Sequence, residues 1–215
     1  MKKIAFLHTS PKHVEMYDAL LETRNANVEV QHVVAASLLD RSREYGITSA
    51  LQDDIQRMIL GVVDEGADVV VCTCSTIGGC VESVDSATES TVMRIDRAMA
   101  EQAIGIGDQI VVVATLASTI ESTSELINDA ARRAKRKIYL RHIVFEDAWA
   151  CFETGDHEGY INAIVAGLPE AAVDADVIVL AQGSMAPAAE RCSDLGVPVL
   201  SSPSLGLDAA LALFG

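Results

Sequence analysis

Three stretches of the chain, "VVVC" at 69–72, "IVVVA" at 110–114 and "VIVLA" at 177–181, are apolar at every position. A strand with one face in water alternates apolar and polar side chains. One that is apolar throughout is covered on both faces, the condition of a parallel sheet wrapped by helices. Five further runs read as strands: Ile4–His8, Val28–Val34, Val92–Ile95, Ile138–Val144 and Val197–Ser201. Between them lie helical patterns. Ile47, Leu51, Ile55, Ile59 and Val63 recur every four residues, and Ser49 with Gln52 reads as a capping box. Asp96 opens "DRAMAEQAIG", which Gly105 ends. Ser122 and Glu125 cap "STSELINDAARRAKRK", whose basic end suits the helix dipole. The expected class is α/β with mainly parallel sheets.

The pattern repeats. "KIAFLHTSP" matches "QIVVVATLAST", a buried strand ending in small hydroxyl residues. "ADVVVCTCSTIGG" matches "ADVIVLAQGSMAP", an Ala-Asp pair, an apolar strand and a small polar turn. The order is the same in both halves, roughly 100 residues apart, the size of a small domain. Two pseudosymmetric lobes are expected, each a four-stranded sheet flanked by helices. The first is 1–97, with a C-terminal helix at 204–215 packing back on it, and the second is 98–203. Ligands of open α/β sheets bind beyond the carboxyl ends of the strands, so the expected site is a cleft between the lobes fed by two strand ends from each.

Charge narrows the partners. The 215 residues carry 16 Lys and Arg against 31 Asp and Glu, a net charge of −15. Such a surface repels phosphate backbones, so no nucleic acid is expected, and an anion site must be local. No apolar run approaches the ~20 residues of a membrane span, so no membrane partner is expected. "MKKIAFLHTSP" reads as a first strand, not a signal peptide. Five cysteines lack disulfide spacing and point to a reducing cytoplasm. Cys72 and Cys74 form CxC, not CxxC, and the five histidines are scattered without helical metal-ligand spacing, so no metal is expected. "GIGDQ" precedes a strand instead of following one, so no nucleotide loop is present and no cofactor is expected.

Each of four strand ends offers small donors: Thr9 and Ser10; Cys74, Ser75 and Thr76; Thr115, Ser118 and Thr119; Gln182, Gly183 and Ser184. Backbone N–H groups in such turns, with helix N-termini nearby, hold a carboxylate without Arg or Lys. Cys74 is the candidate reactive group, a thiol at a strand end facing hydroxyls and a helix start, where a thiolate is favoured. Cys72 shares its face one layer deeper and reads as core, as do Cys80, Cys151 and Cys192 in helical patterns. His8 ends the first strand beside Thr9 and Ser10, where an imidazole serves as acid or base.

These motifs together resemble the aspartate/glutamate/hydantoin racemase superfamily, which includes maleate isomerases and arylmalonate decarboxylases. "VVVCTCSTIGG" resembles its first cysteine motif, with Cys74, Ser75 and Thr76 in place. "VMRIDRAMAEQAI" is similar to a segment of the hydantoin-racemase branch. "IVVVATLASTIEST" resembles the Gly-Thr-x-x-Thr turn, with Ala114 for Gly. "VIVLAQGSMAPAA" resembles the second cysteine motif, with Gln182 where that motif has cysteine. The resemblance implies cofactor-free proton transfer beside a carboxylate, between two thiols on opposite faces of the carbon. Here it implies one thiol, Cys74, as catalytic group. His8 stands where glutamate racemases carry an acid/base Asp. Thr9, Ser10, Ser75, Thr76, Thr115, Ser118, Thr119, Gln182 and Gly183 are the implied substrate-binding residues. Racemase, isomerase, single-cysteine decarboxylase and a non-catalytic carboxylate-binding protein all remain open, as does a homo-oligomeric state.

Overall fold

A computed structural model describes residues 1–215. The chain divides into two units, Met1–Ile95 with Pro203–Gly215, and Asp96–Ser202. The first unit runs β1 (Lys3–His8), α1 (Lys12–Thr23), β2 (Glu29–Val34), α2 (Ala36–Tyr45), α3 (Ser49–Asp64), β3 (Val69–Cys72), α4 (Ser75–Glu82), a 3₁₀ turn (Asp85–Ala87) and β4 (Thr91–Arg94). The second runs α5 (Arg97–Ile106), β5 (Gln109–Ala114), α6 (Ser118–Arg133), β6 (Tyr139–Val144), α7 (Glu146–Thr154), α8 (His157–Ala171), β7 (Val177–Leu180), a 3₁₀ turn (Gly183–Met185), α9 (Ala186–Arg191) and β8 (Val199–Ser201). The last helix, α10 (Ser202–Ala212), lies in the first unit from Pro203 onward. No helix is long and apolar enough to cross a membrane.

Each unit holds one four-stranded sheet, β2-β1-β3-β4 and β6-β5-β7-β8, with every neighbouring pair parallel. The continuous apolar runs are the central strands, and their successive side chains serve opposite faces. In the first unit Ala5, Leu7, Val70 and Cys72 pack with Leu38, Leu51, Ile55, Ile59 and Ile77 of α2, α3 and α4. Ile4, Phe6, Val69 and Val71 pack with Tyr17 and Leu21 of α1 and with Leu207 and Ala210 of α10. In the second unit Val111, Val113, Ile178 and Leu180 pack with Tyr160, Ile164 and Leu168 of α8. Full burial of one such side chain contributes about 1.5–3 kcal/mol, so the central strands hold each unit together.

All eight expected strands are present, and three helix boundaries differ from expectation. The cap of α3 is Thr48, whose hydroxyl accepts from the Leu51 amide, and Ser49 is already helical. Val62, not Val63, completes the buried stripe, and Ile47 lies outside the helix with 42 % exposure; a 3.6-residue turn drifts off a strict period of four. Helix α5 runs through Gly105 to Ile106 and is ended by Gly107. Helix α6 starts at Ser118, which leaves Ser122 and Glu125 inside it. The turn after β5 closes at once, through Thr119 N to Leu116 O and Ile120 N to Ala117 O, so the helix starts before the Ser122 signal.

The internal repeat has a physical basis. Asp68 accepts from the Lys3 amide and Asp176 from the Gln109 amide, each at 2.8 Å, so each Ala-Asp pair ties one central strand to the start of the other. Thr73 N donates to Leu7 O at 3.0 Å and Ala181 N to Val113 O at 2.9 Å. Ala35 N donates to His8 O and Phe145 N to Ala114 O, both at 2.8 Å. These bonds match the units residue by residue: His8 with Ala114, Thr9 with Thr115, Ser10 with Leu116, Thr73 with Ala181, and Cys74 with Gln182. His32 and His142 correspond as well, each paired with the residue two before its central strand's end.

Candidate functional site

In a parallel sheet the strand ends and the helix starts that follow them share one edge. On that edge of the first unit β1 delivers His8, Thr9 and Ser10, and β3 delivers Thr73 and Cys74. Cys74 is the N-cap of α4, in extended backbone (φ −112°, ψ 113°), and its side chain makes no capping bond. The Cys74 side chain therefore leaves uncapped the first turn of α4, where Thr76 and Ile77 carry N–H groups that a helix cannot satisfy itself. Cys74 is 8 % exposed, while Cys72 is sealed at 0 % with its thiol toward Cys74 O at 3.4 Å. The buried Arg94 guanidinium donates to Ser75 O at 3.3 Å and lies against Gly78, where an added Cβ would fall 2.9 Å from Nε. Ser75 and Thr76 are half-buried. Cys80, in α4, has its thiol pushed up by burial, with a Gln52 hydrogen bond and Arg94 opposing.

The equivalent edge of the second unit is filled from within. Gln182 stands like Cys74, in extended backbone (φ −126°, ψ 134°) at the start of a helical turn. Its Oε1 accepts from Thr115 N at 2.7 Å, Thr115 Oγ1 at 2.9 Å and Leu116 N at 3.3 Å. Three donors thus converge on one oxygen. Tyr160 OH bonds Ser184 Oγ at 2.9 Å and approaches Thr115 Oγ1 at 3.4 Å, and burial raises its phenol. The Thr119 hydroxyl donates back to Leu116 O at 2.8 Å, Ser118 is exposed, and Gly183 is half-buried. Cys151 lies in α7 and Cys192 at the C-cap of α9; both are half-buried against the core, not sealed in it, and burial pushes the Cys192 thiol up.

His8 is fully buried, and both its nitrogens are engaged. Nδ1 meets Thr73 Oγ1 at 2.8 Å, and Nε2 meets His32 Nδ1 at 2.8 Å. His32 Nε2 meets Asp18 Oδ1 at 3.0 Å, and His13 Nδ1, from the first turn of α1, meets Thr73 Oγ1 at 3.3 Å. Burial first, then His13 and His32, bring the His8 imidazole down to about 3; burial also lowers His13. The histidines that look scattered in sequence are therefore gathered, three of five in one chain of contacts. No group of three or more His, Cys, Asp or Glu could hold a metal ion. Sequence reasoning missed His13, His32, Thr73 and Asp18. The available signal was a histidine inside each of two adjacent predicted strands, since in parallel pairing Phe6 faces His32 and His8 lies two residues on.

Known proteins share this fold. A family model described as Asp/Glu/Hydantoin racemase matches residues 15–210. Allantoin racemase from Klebsiella pneumoniae superposes with a TM-score of 0.67 at 16 % identity, over 100 % of this chain and 88 % of that one. Aspartate racemase from Picrophilus torridus gives 0.68 at 12 %, over 99 % and 92 %. A mutant of arylmalonate decarboxylase in its sulfate-associated form gives 0.60 at 17 %, over 98 % and 92 %. Comparison with the curated proteins gives no match. The solved structures share the fold, and the match of the family model across most of the sequence settles kinship: the chain belongs to the Asp/Glu/hydantoin racemase family.

Proposed function

We propose that the protein transfers a proton at the carbon beside the carboxylate of a small acid, without a cofactor, and that Cys74 is the thiol acid–base group. The carrying observation is Gln182. Its carbonyl oxygen lies in a cradle of two amides and a hydroxyl, the donor set an enediolate or carboxylate oxygen requires. The matching donors of the first unit are Thr9 N, Thr9 Oγ1 and Ser10 N, and no protein group accepts from them. There the residue in Gln182's place is Cys74, whose side chain is too short to fill the cradle itself. A substrate oxygen held by Thr9 and Ser10 lies on the same edge as the thiol and the open first turn of α4. Ser75 and Thr76 extend the donor set. Hydrogen bonds to a charged oxygen contribute about 1.5–3 kcal/mol each, enough to favour the charge that develops as the proton leaves.

Gln182 also limits the chemistry. A side-chain amide neither gives nor takes a proton near neutral pH, and its oxygen is already committed to the Thr115 turn. Cys192 follows ten residues later at a helix end and does not replace it. One thiol suits proton exchange from a single face, as in exchange with retained handedness or in protonation after a decarboxylation. A racemase of the two-thiol kind is the less supported reading. Thr115 then serves the second unit's own turn with Gln182, and Thr119 ties back to Leu116 in the same turn. The reading is of a cytoplasmic enzyme whose partner is the small acid.

Competitive alkylation tests this. With limiting iodoacetamide and mass-spectrometric mapping, Cys74 is expected to label well before Cys72, and small carboxylates are expected to slow labelling at Cys74 alone. Equal labelling of the two thiols, or protection spread over all five, would contradict it.

A further inference from the structure

We propose that His13, Thr73, His8 and His32 form a proton relay, with its inner end at His13 Nε2 and its outer end at the His32–Asp18 pair. This rests on the reading of Cys74 only for what the relay serves; the relay itself follows from hydrogen-bond polarity. The outer end is wet and the inner links are dry. The Asp18 side chain is 55 % exposed, whereas His8 and Thr73 are buried.

The Asp18 carboxylate sets the directions of the bonds. A carboxylate only accepts, so His32 Nε2 carries the proton facing Asp18. In a neutral His32, Nδ1 is then an acceptor and takes the Nε2–H of His8. His8 Nδ1 in turn has no proton and takes the hydroxyl hydrogen of Thr73. The Thr73 oxygen accepts Nδ1–H of His13, which leaves His13 Nε2 as the basic nitrogen. The contact of Thr73 Oγ1 with Leu7 O, at 3.3 Å, is the longer alternative for the same hydrogen. The His8 and His32 ring planes are 18° apart with centroids 5.1 Å apart, and with Nε2 and Nδ1 2.8 Å apart the two rings meet through these nitrogens. Phe6 and Tyr17 stack beside them and keep water from the middle of the chain.

A proton arriving at His13 Nε2 moves through the chain without any atom travelling far. His13 passes its Nδ1 proton to Thr73 Oγ1, Thr73 passes its own to His8 Nδ1, and His8 passes Nε2–H to His32 Nδ1. One proton has entered and none has left. The charge now sits on a His32 imidazolium against the Asp18 carboxylate, and His13 and His8 carry their opposite tautomers. The reverse sequence returns the proton. A buried His8 that resists becoming a cation fits a link that conducts and does not store charge. The second unit supports the assignment by contrast. His8 and Thr73 are matched there by Ala114 and Ala181, and His142, the counterpart of His32, bonds only Ser124 Oγ at 2.9 Å. The relay occurs only in the unit that carries Cys74.

Long-range ¹H–¹⁵N NMR on the whole protein at pH 8, above the ordinary histidine range of about 6.5, reads the tautomers directly. The relay predicts Nε2–H for His8 and His32 and Nδ1–H for His13. In Thr73→Val, His13 is expected to lose its Nδ1–H preference, and Thr73→Ser is expected to keep it. His13 in the Nε2–H form in the wild-type protein overturns the relay, and that measurement needs no variant to fold. In a deuterium-exchange assay Thr73→Val is expected to lower kcat by about 10²-fold, the scale of losing one acid–base group, with KM little changed and Thr73→Ser restoring the rate. Full-rate exchange by Thr73→Val, where Cys74→Ala is inactive, would remove the relay from the reaction. Absence of exchange in the wild type would count against the reading of Cys74, while the tautomers still decide the relay.

Discussion

Acid should weaken this protein well before its carboxylates protonate, because His8 is folded away as a neutral base. In the unfolded chain an imidazole takes up a proton near pH 6.5; in the fold His8 does so only at about 3, owing first to burial and then to His13 and His32. Between these values the unfolded state binds more protons than the native one, so stability rises with pH across that window and falls as pH drops through it. The loss at pH 5 relative to pH 8 is about 2 kcal/mol from this residue, and about 3 kcal/mol at pH 4. His13, also lowered by burial, acts in the same direction. The carboxylates held low by hydrogen bonds, Asp54 and Asp129 by arginine and Asp176 by backbone amides, lose their contributions only as pH falls below the ordinary carboxylate range. Urea unfolding at pH 8, 6 and 5, at constant m, is the assay. Wild-type stability is expected to drop by at least about 2 kcal/mol from pH 8 to 5, and His8→Asn is expected to drop by correspondingly less. A direct NMR titration should leave the His8 ring unprotonated at pH 5. A His8 midpoint near 6.5, or equal acid loss in the two proteins, would refute the reasoning.

Three further outcomes follow from individual contacts. Gln182→Ala strands the Thr115 amide and hydroxyl and the Leu116 amide, and is expected to cost about 1–3 kcal/mol, read as faster hydrogen exchange in β5 and β7; Gln182→Glu should hold at pH 7 and lose stability as pH falls, since a carboxylate in that cradle titrates low. Gly206→Ala puts a methyl group onto the Ile95 carbonyl oxygen; a loss of about 1–3 kcal/mol is expected by urea denaturation, with faster exchange in α10 and β4. Thr48→Ala removes the cap of α3 and is expected to cost about 1 kcal/mol, measured the same way.

The fold was legible where one signal dominated. Continuous apolar runs need cover on both faces, so "VVVC", "IVVVA" and "VIVLA" could only be central parallel strands. The Ala-Asp echo was equally plain, because each aspartate has the same task of holding the neighbouring strand's first amide. Helix starts were less legible. Thr48, Ser49, Ser118 and Ser122 all have the chemistry of a cap, and only backbone geometry selects among them. Cys74 was visible because it stands at the end of an apolar strand. The histidine chain was not, because its members lie 5 to 24 residues apart in sequence and are joined by parallel pairing and by Thr73, a residue whose hydroxyl looks ordinary in a list of strand-end hydroxyls. The bonds of Gln182 were not legible either: its oxygen turns into the Thr115 turn, since an amide acceptor goes to the nearest open donors, and no local motif marks that pairing across 67 residues.

The central claim, that Cys74 moves a proton beside a carboxylate, is tested most directly by α-hydrogen exchange in D₂O. The wild-type protein is incubated with aspartate, glutamate, hydantoins and simple carboxylic acids, and NMR follows the loss of each α-proton signal and the handedness of the product. The account predicts exchange on at least one of these acids, with handedness largely retained because a single thiol exchanges a proton from one face only. It predicts a fall of at least about 10²-fold in Cys74→Ala and little change in rate for Cys72→Ala. Exchange that survives Cys74→Ala, or no exchange with any of these acids, would contradict it.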